Sequence, residues 1–369
     1  MSTMNVTYLI GNGFDLGIGL KTGFKEFLDY YITIESENED IIKFKETIKK
    51  DSTDLWSDLE LRFGNYIENF EKEELSRYIK IYEDLLSDLN DYLKKEDSKI
   101  DTENKVISDK NRENFLDDIM LLNRNHMGLR LADYESIDKT DYYLENTEVM
   151  YNFMIFNYTT TFERILDNIL AWDKVDDVLY TNKNGKDTRK INEVLHIHGQ
   201  LNNNMIFGVD DRSQLPFLGQ IPYNIIRRIV KPQKNNALKN TVDEKGKKLI
   251  NDSDIICIYG MSIGMTDSTW WERIGNWLTK SNSHWLIYFV HDTNINADNP
   301  VYGMDYMLDA EEEYRNKFIA AAGIADNFNV DVDSVRQRII VIINSNFMQM
   351  KLVKDEKEDK NEAKDGVTV

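Results

Sequence analysis

Asn5-Val6-Thr7-Tyr8-Leu9-Ile10 runs directly into Gly11-Asn12-Gly13-Phe14-Asp15. A short segment rich in β-branched and aromatic residues, stopped by two glycines around an asparagine, reads as a buried strand that ends in a sharp turn. The pattern returns three times along the chain. One apolar run ends in Phe156-Asn157-Tyr158-Thr159, another in His196-Ile197-His198-Gly199, and another in Tyr259-Gly260-Met261-Ser262. The carboxyl ends of the strands form the ligand crevice of an open parallel sheet, so these four distant segments are expected to converge on one pocket, and a nucleotide is the expected occupant.

Outward from these strand ends, residues 152–156, 194–197, 254–259, 285–290 and 338–343 are further candidate strands, and 160–171, 222–230, 269–279 and 311–322 are candidate helices. Strand and helix alternate, which predicts an α/β fold with a doubly wound, mostly parallel sheet covered on both faces. From Thr22 to about Met150 the period changes. Trp56, Leu59, Phe63, Ile67 and Phe70 recur at three and four residues, as do Ile79, Tyr82, Leu86, Leu89 and Leu93, so each set marks one apolar helix face. The expected organisation is a first strand and loop over 1–21, a helical insertion over 22–150, the rest of the α/β domain over 151–353, and a charged, disordered tail over 354–369. Residues 98–112 read as a polar loop within the insertion. The insertion is large enough for a lid or for the interface of a homo-oligomer.

Composition narrows the function classes. A chain of 369 residues with 41% hydrophobic and 11% aromatic content can bury a sizeable core. No run approaches the roughly 20 apolar residues that cross a bilayer, and the beginning of the chain lacks the pattern of a signal peptide, so a cytoplasmic protein without membrane contact is expected. The one cysteine, Cys257, fits a reducing compartment and reads as a small core hydrophobe rather than a nucleophile. A formal charge of −20 argues against an extended nucleic-acid surface, whose affinity would rest on Lys and Arg.

The strand ends carry the chemistry. Gly11 and Gly13 would let the backbone approach a phosphate, although the same pair also serves a simple tight turn. Asn157 is placed to orient a ribose hydroxyl or a water, or else to cap the helix that follows, and capping is the reading for Thr159. His198, beside a turn glycine, suits a general base, with His196 as its packed neighbour. His196 and His198 together, with Asp210 and Asp211, would instead make a metal site. Gly260, Ser262 and Gly264 leave room for a diphosphate or adenine, while Asp267 is either a helix cap or a ligand contact. Glu60 becomes a second carboxylate of the site if the insertion folds over the crevice, and is otherwise a solvated helix residue.

With these residues in hand the chain resembles the AbiH family of bacteriophage abortive-infection proteins. The likeness rests on Ile10-Gly11-Asn12-Gly13-Phe14-Asp15-Leu16 with Gly19-Leu20-Lys21-Thr22, on Phe156-Asn157-Tyr158-Thr159, on His196-Ile197-His198-Gly199 followed by Phe207-Gly208-Val209-Asp210-Asp211, and on Tyr259-Gly260-Met261-Ser262-Ile263-Gly264 with Asp267. The order of these blocks is also similar, more distantly, to the NAD pocket of sirtuins and sirtuin-like NAD-cleaving defence proteins. That second resemblance implies a sirtuin-like, Rossmann-type fold, with NAD as substrate or ligand and no metal. By position it implies that Asn157 and His198 act at the ribose, that Gly11, Asn12 and Gly13 hold phosphate, and that Gly260 and Ser262 line the adenosine side. Phe14, Asp15, Thr22, Gly199 and Asp267 complete the expected ligand contacts. One cysteine cannot supply a structural zinc module, which argues against a protein deacylase. The expectation is an abortive-infection effector that hydrolyses NAD or a related nucleotide in response to a phage-derived trigger. Its rivals are a nucleotide sensor that signals through the insertion, and a metal-dependent hydrolase.

Overall fold

The computed structural model describes residues 2–50, 56–100, 109–121, 127–138, 147–173, 178–181, 188–216, 220–297, 299–327, 329–350 and 352. Among these residues seven strands form one sheet: β1 (Ser2–Ile10), β2 (Thr147–Ile155), β3 (Val178–Thr181), β4 (Thr188–His196), β5 (Ile255–Tyr259), β6 (Trp285–Val290) and β7 (Ile339–Ile343). Their order is β3-β4-β2-β1-β5-β6-β7, with every neighbouring pair parallel except the antiparallel edge pair β3 and β4. The chain builds outward from β1 on one side, then crosses to β5 on its other side. The doubly wound class is therefore the observed one, and the reversal beside β1 is the topological switch point at which such sheets hold ligands.

Side chains alternate across the sheet, and two cores result. Val6, Tyr8 and Ile10 of β1 join Phe153, Cys257 and Phe289 on one face, where the helices Asp109–Ile119 and Thr161–Asp173 pack. Leu9, Met154, Ile258 and Tyr288 join the other face, against Trp270, Trp271 and Trp277 of the helix Ser268–Lys280. Cys257 is fully buried, and burial raises its thiol pKa, so it stays a protonated core residue. A third core lies within the helical block, where Phe27, Phe44, Phe63, Tyr78 and Tyr82 meet Phe207, Val209, Ile226 and Ile229. The Tyr82 hydroxyl donates to the carbonyls of Phe207, at 3.0 Å, and Arg228, at 2.8 Å, fastening the block to the segment after β4.

The structure departs from the sequence reading at several edges. β3 was not anticipated, because four residues are too few to give a period. β2 and β4 begin earlier than their apolar runs, since their first halves are only partly buried. The helix Val242–Asp252 also escaped, having only Gly246 and Ile250 buried. The helix Gly303–Ala321 starts eight residues before the expected 311, over turns that expose Met304 and Leu308. Within 98–112, residues from Asp109 onward are helical and send Phe115 and Ile119 into the core, which corrects the loop reading there. Residues 101–108 and the tail 354–369 lie outside the described residues.

Candidate functional site

Strand register brings the candidate residues together. Ile10 lies beside Ile155 and Tyr259, and Ile155 beside His196, so four strands finish abreast. Beyond those ends opens a cleft with about 140 Å³ of space for water-sized groups. Gly11, Asn12, Asp15 and Thr22 line it from the β1 loop, Phe156, Asn157, Tyr158 and Thr159 from the β2 end, His198 from the β4 end, and Gly260, Ser262 and Asp267 from the β5 loop. Glu60 and Leu93 reach it from the helical block.

The floor is two loops in close contact. The Gly11 and Gly13 amides donate to the carbonyls of Tyr259, at 2.9 Å, and Gly260, at 2.8 Å. A Cβ on Gly11 would meet Met261 Cγ at 2.4 Å, and one on Gly13 would meet Gly260 Cα at 2.5 Å. These glycines are therefore required by loop packing, and their amides are engaged within the protein rather than held ready for a phosphate. Asn12 is clamped in turn: its Nδ2 donates to the Thr22 carbonyl at 3.0 Å and its Oδ1 accepts from the Thr22 hydroxyl at 2.7 Å.

On the wall nearest β2, Asp15 is fully buried and accepts hydrogen bonds from Thr159 Oγ1, at 2.6 Å, and from Thr161 Oγ1. Burial raises its pKa to about 6, while those hydroxyls and the nearby Asn157 amide favour the charged form. The Thr159 hydroxyl thus serves Asp15, not the helix end. Asn157 is 5% exposed, and among the described residues neither amide atom has a partner in hydrogen-bond geometry, although the amide lies close enough to Asp15 to favour its charged form. Leaving buried polar atoms unpaired costs about 1–3 kcal/mol per group, so an orphaned amide at a cleft is a ligand contact in waiting.

The facing wall is ionic. Lys231 is buried, with its Nζ donating to Glu60 Oε2 at 2.9 Å, the Thr266 carbonyl at 3.0 Å and Asp267 Oδ1 at 3.3 Å. Asp267 and Glu60 hold the lysine pKa above its ordinary value against the cost of burial. Burial raises Glu60 to about 7, with Lys231 opposing. His198 Nε2 lies 3.1 Å from Asp267 Oδ1 without hydrogen-bond alignment. Burial, then Lys231, keeps the His198 pKa well below its ordinary value, so the ring is neutral.

A sequence model of bacteriophage abortive infection AbiH proteins matches residues 7–289, a span that contains every residue lining this cleft. The chain belongs to the AbiH family. Comparison with curated proteins found no match. Membership gives this AbiH protein a role in phage abortive infection, and no helix among its described residues is long and apolar enough to cross a membrane.

Several expected site residues of the AbiH chain have other uses. Phe14 is fully buried against Phe115, Phe162 and Tyr259, inside the core rather than in the cleft. Gly199 takes φ +70° in the turn after β4, where a Cβ would meet the Asn204 carbonyl oxygen at 2.1 Å. The four-residue metal cluster is not assembled. β4 ends at His196, whose ring pairs with Glu163; Asp210 accepts from the Thr269 amide at 2.6 Å, and Asp211 from the Ser213 amide at 2.7 Å. Among the described residues no group of three His, Cys, Asp or Glu side chains is placed to hold a metal ion. Asp210 rather than Asp267 supplies the side-chain cap of the helix Ser268–Lys280, which frees Asp267 for Lys231 and His198. Glu60 is in the cleft, not solvated. Lys231 was missed: a lone lysine after Ile229-Val230 and before Pro232 gives little sign in sequence that it is buried.

Proposed function

We propose that this AbiH protein is an abortive-infection effector that binds NAD or a related nucleotide and hydrolyses its N-glycosidic bond. The supporting observation is the buried Asn157 amide, unpartnered among the described residues, in one cleft with buried His198, whose Nε2 lies 3.1 Å from Asp267 Oδ1, and with further carboxylates. The chemistry needs those parts. As nicotinamide leaves with the electrons of the glycosidic bond, positive charge develops on the ribose, and Asp15, Asp267 and Glu60 stabilise it electrostatically. Asn157 holds ribose hydroxyls, and neutral His198 takes a proton from the attacking water as its oxygen bonds to the ribose carbon. Nicotinamide, ADP-ribose and a proton are the products.

Asn157 gives the sharpest test. Nicotinamide release should fall by on the order of a hundredfold or more in Asn157→Leu, while the fold survives because two unpaired polar atoms are removed. Release at the wild-type rate would refute the role of the amide. A second reading draws on Glu60 and Lys231, which join the helical block to the cleft across a 2.9 Å ion pair. Through that contact a bound nucleotide would be sensed by the block and passed to a partner or a second copy. Tight binding of ADP-ribose with no nicotinamide release from NAD, in the presence of a phage-derived trigger, would favour it.

A further inference from the structure

A pyridine dinucleotide offers a cleft two opposite ends, an anionic diphosphate and, in its oxidised form, a cationic ring. The lining discriminates between them. Three carboxylates, Asp15, Glu60 and Asp267, face the cleft against one ammonium, Lys231. Lys231 is already held by Glu60, Asp267 and the Thr266 carbonyl. His198 adds no positive charge, the Gly11 and Gly13 amides are engaged by the β5 loop, and the Asn12 amide is engaged by Thr22. Phosphate would therefore enter a cleft whose carboxyl groups outnumber its one ammonium and whose Gly11, Gly13 and Asn12 amides are engaged, and it would lose hydration without comparable replacement.

The opposite end of the ligand meets a better match. Phe156, packed beside His198 and Trp270, also lines the cleft, and aromatic rings attract planar cations within about 6 Å. Asn157, 5% exposed with both amide atoms unpartnered among the described residues, is an independent mark of a ligand in the same place.

We infer that the cleft selects its ligand by positive charge: it takes a ribose that carries a cationic planar base, and leaves the phosphates at its mouth. The ribose in that statement rests on the proposed hydrolysis; the charge preference does not. Asp15, Glu60 and Asp267 are then the specificity-determining residues, and Lys231 keeps two of them buried rather than binding phosphate.

Ligand-detected NMR titration of the full chain with three probes tests this. The probes are 1-methylnicotinamide, a pyridinium cation without phosphate or glycosidic bond; nicotinamide, its neutral counterpart; and inorganic pyrophosphate. The cation should bind at least about tenfold more tightly than nicotinamide, pyrophosphate should not displace it, and Glu60→Gln or Asp267→Asn should reduce the preference by on the order of tenfold. Equal binding of cation and neutral ring, or tighter binding of pyrophosphate, overturns the inference. Where a variant does not fold, the ranking of the three probes on the wild-type chain still decides. Nicotinamide release from NAD, measured in parallel, judges hydrolysis separately. A cleft that prefers the cation and leaves NAD intact keeps the inference and removes the enzyme, and a cleft that cleaves NAD yet prefers pyrophosphate does the reverse.

Discussion

On one wall of the cleft Asp15 is buried against two hydroxyls, while on the other Glu60 and Asp267 are buried around the ammonium of Lys231. Both walls place carboxylates where burial raises their pKa. They differ in what happens when one group is altered. A hydroxyl can turn to suit either protonation state of Asp15, so that wall tolerates titration. The lysine wall is interdependent, because removing the cation strands two buried anions. The difference suits two tasks, with Asp15 able to adjust its charge to an incoming ligand and the Lys231 cluster holding the helical block over the cleft.

The comparison breaks most visibly at Lys231. Lys231→Met should lower unfolding free energy by about 3–5 kcal/mol, and adding Glu60→Gln should return part of the loss, in a double-mutant cycle followed by urea denaturation. A variant as stable as wild type would show that the lysine wall is not held by its ion pairs. Asp15 should give a smaller effect that depends on pH. Its carboxyl rises from an ordinary 3.8 to about 6 on folding, so the folded state binds more protons between those values. The resulting stabilisation is complete below about pH 4 and is lost as the pH rises through about 6, a change of about 3 kcal/mol. Asp15→Asn should abolish that slope in melting curves recorded between pH 4 and 7, and an unchanged slope would place the titration elsewhere. Asn157→Leu should have the smallest effect on stability, within about 1 kcal/mol of wild type, since two unpaired polar atoms leave with the amide. A large loss would mean that Asn157 supports the fold instead of awaiting a ligand.

Much of this arrangement was legible in the chain. Apolar runs that stop at polar residues locate β1, β2, β4 and β5, and the parallel-sheet rule then sends Asn157, His198 and Gly260 to one crevice, where they lie. The ionic wall was harder to read, because its members come from different cores and share no spacing. Glu60 sits between buried Leu59 and Phe63 on a helix whose period reveals an apolar face but not what borders it. Lys231 is buried by the helical block, a contact between segments 171 residues apart. Phe14 and Gly199 show the reverse error: they belong to motifs that reach the site, yet one packs into the core and the other turns the chain. Spacing likewise joined His196 to His198, although β4 ends at the first of them.

The central claim is tested most directly by NAD consumption, measured for the purified chain beside His198→Ala, with and without lysate from phage-infected cells as a source of trigger. The account predicts loss of NAD with release of nicotinamide in wild type only, with His198→Ala folded and inert. Loss at the same rate in His198→Ala, or no loss in wild type under either condition, would contradict it.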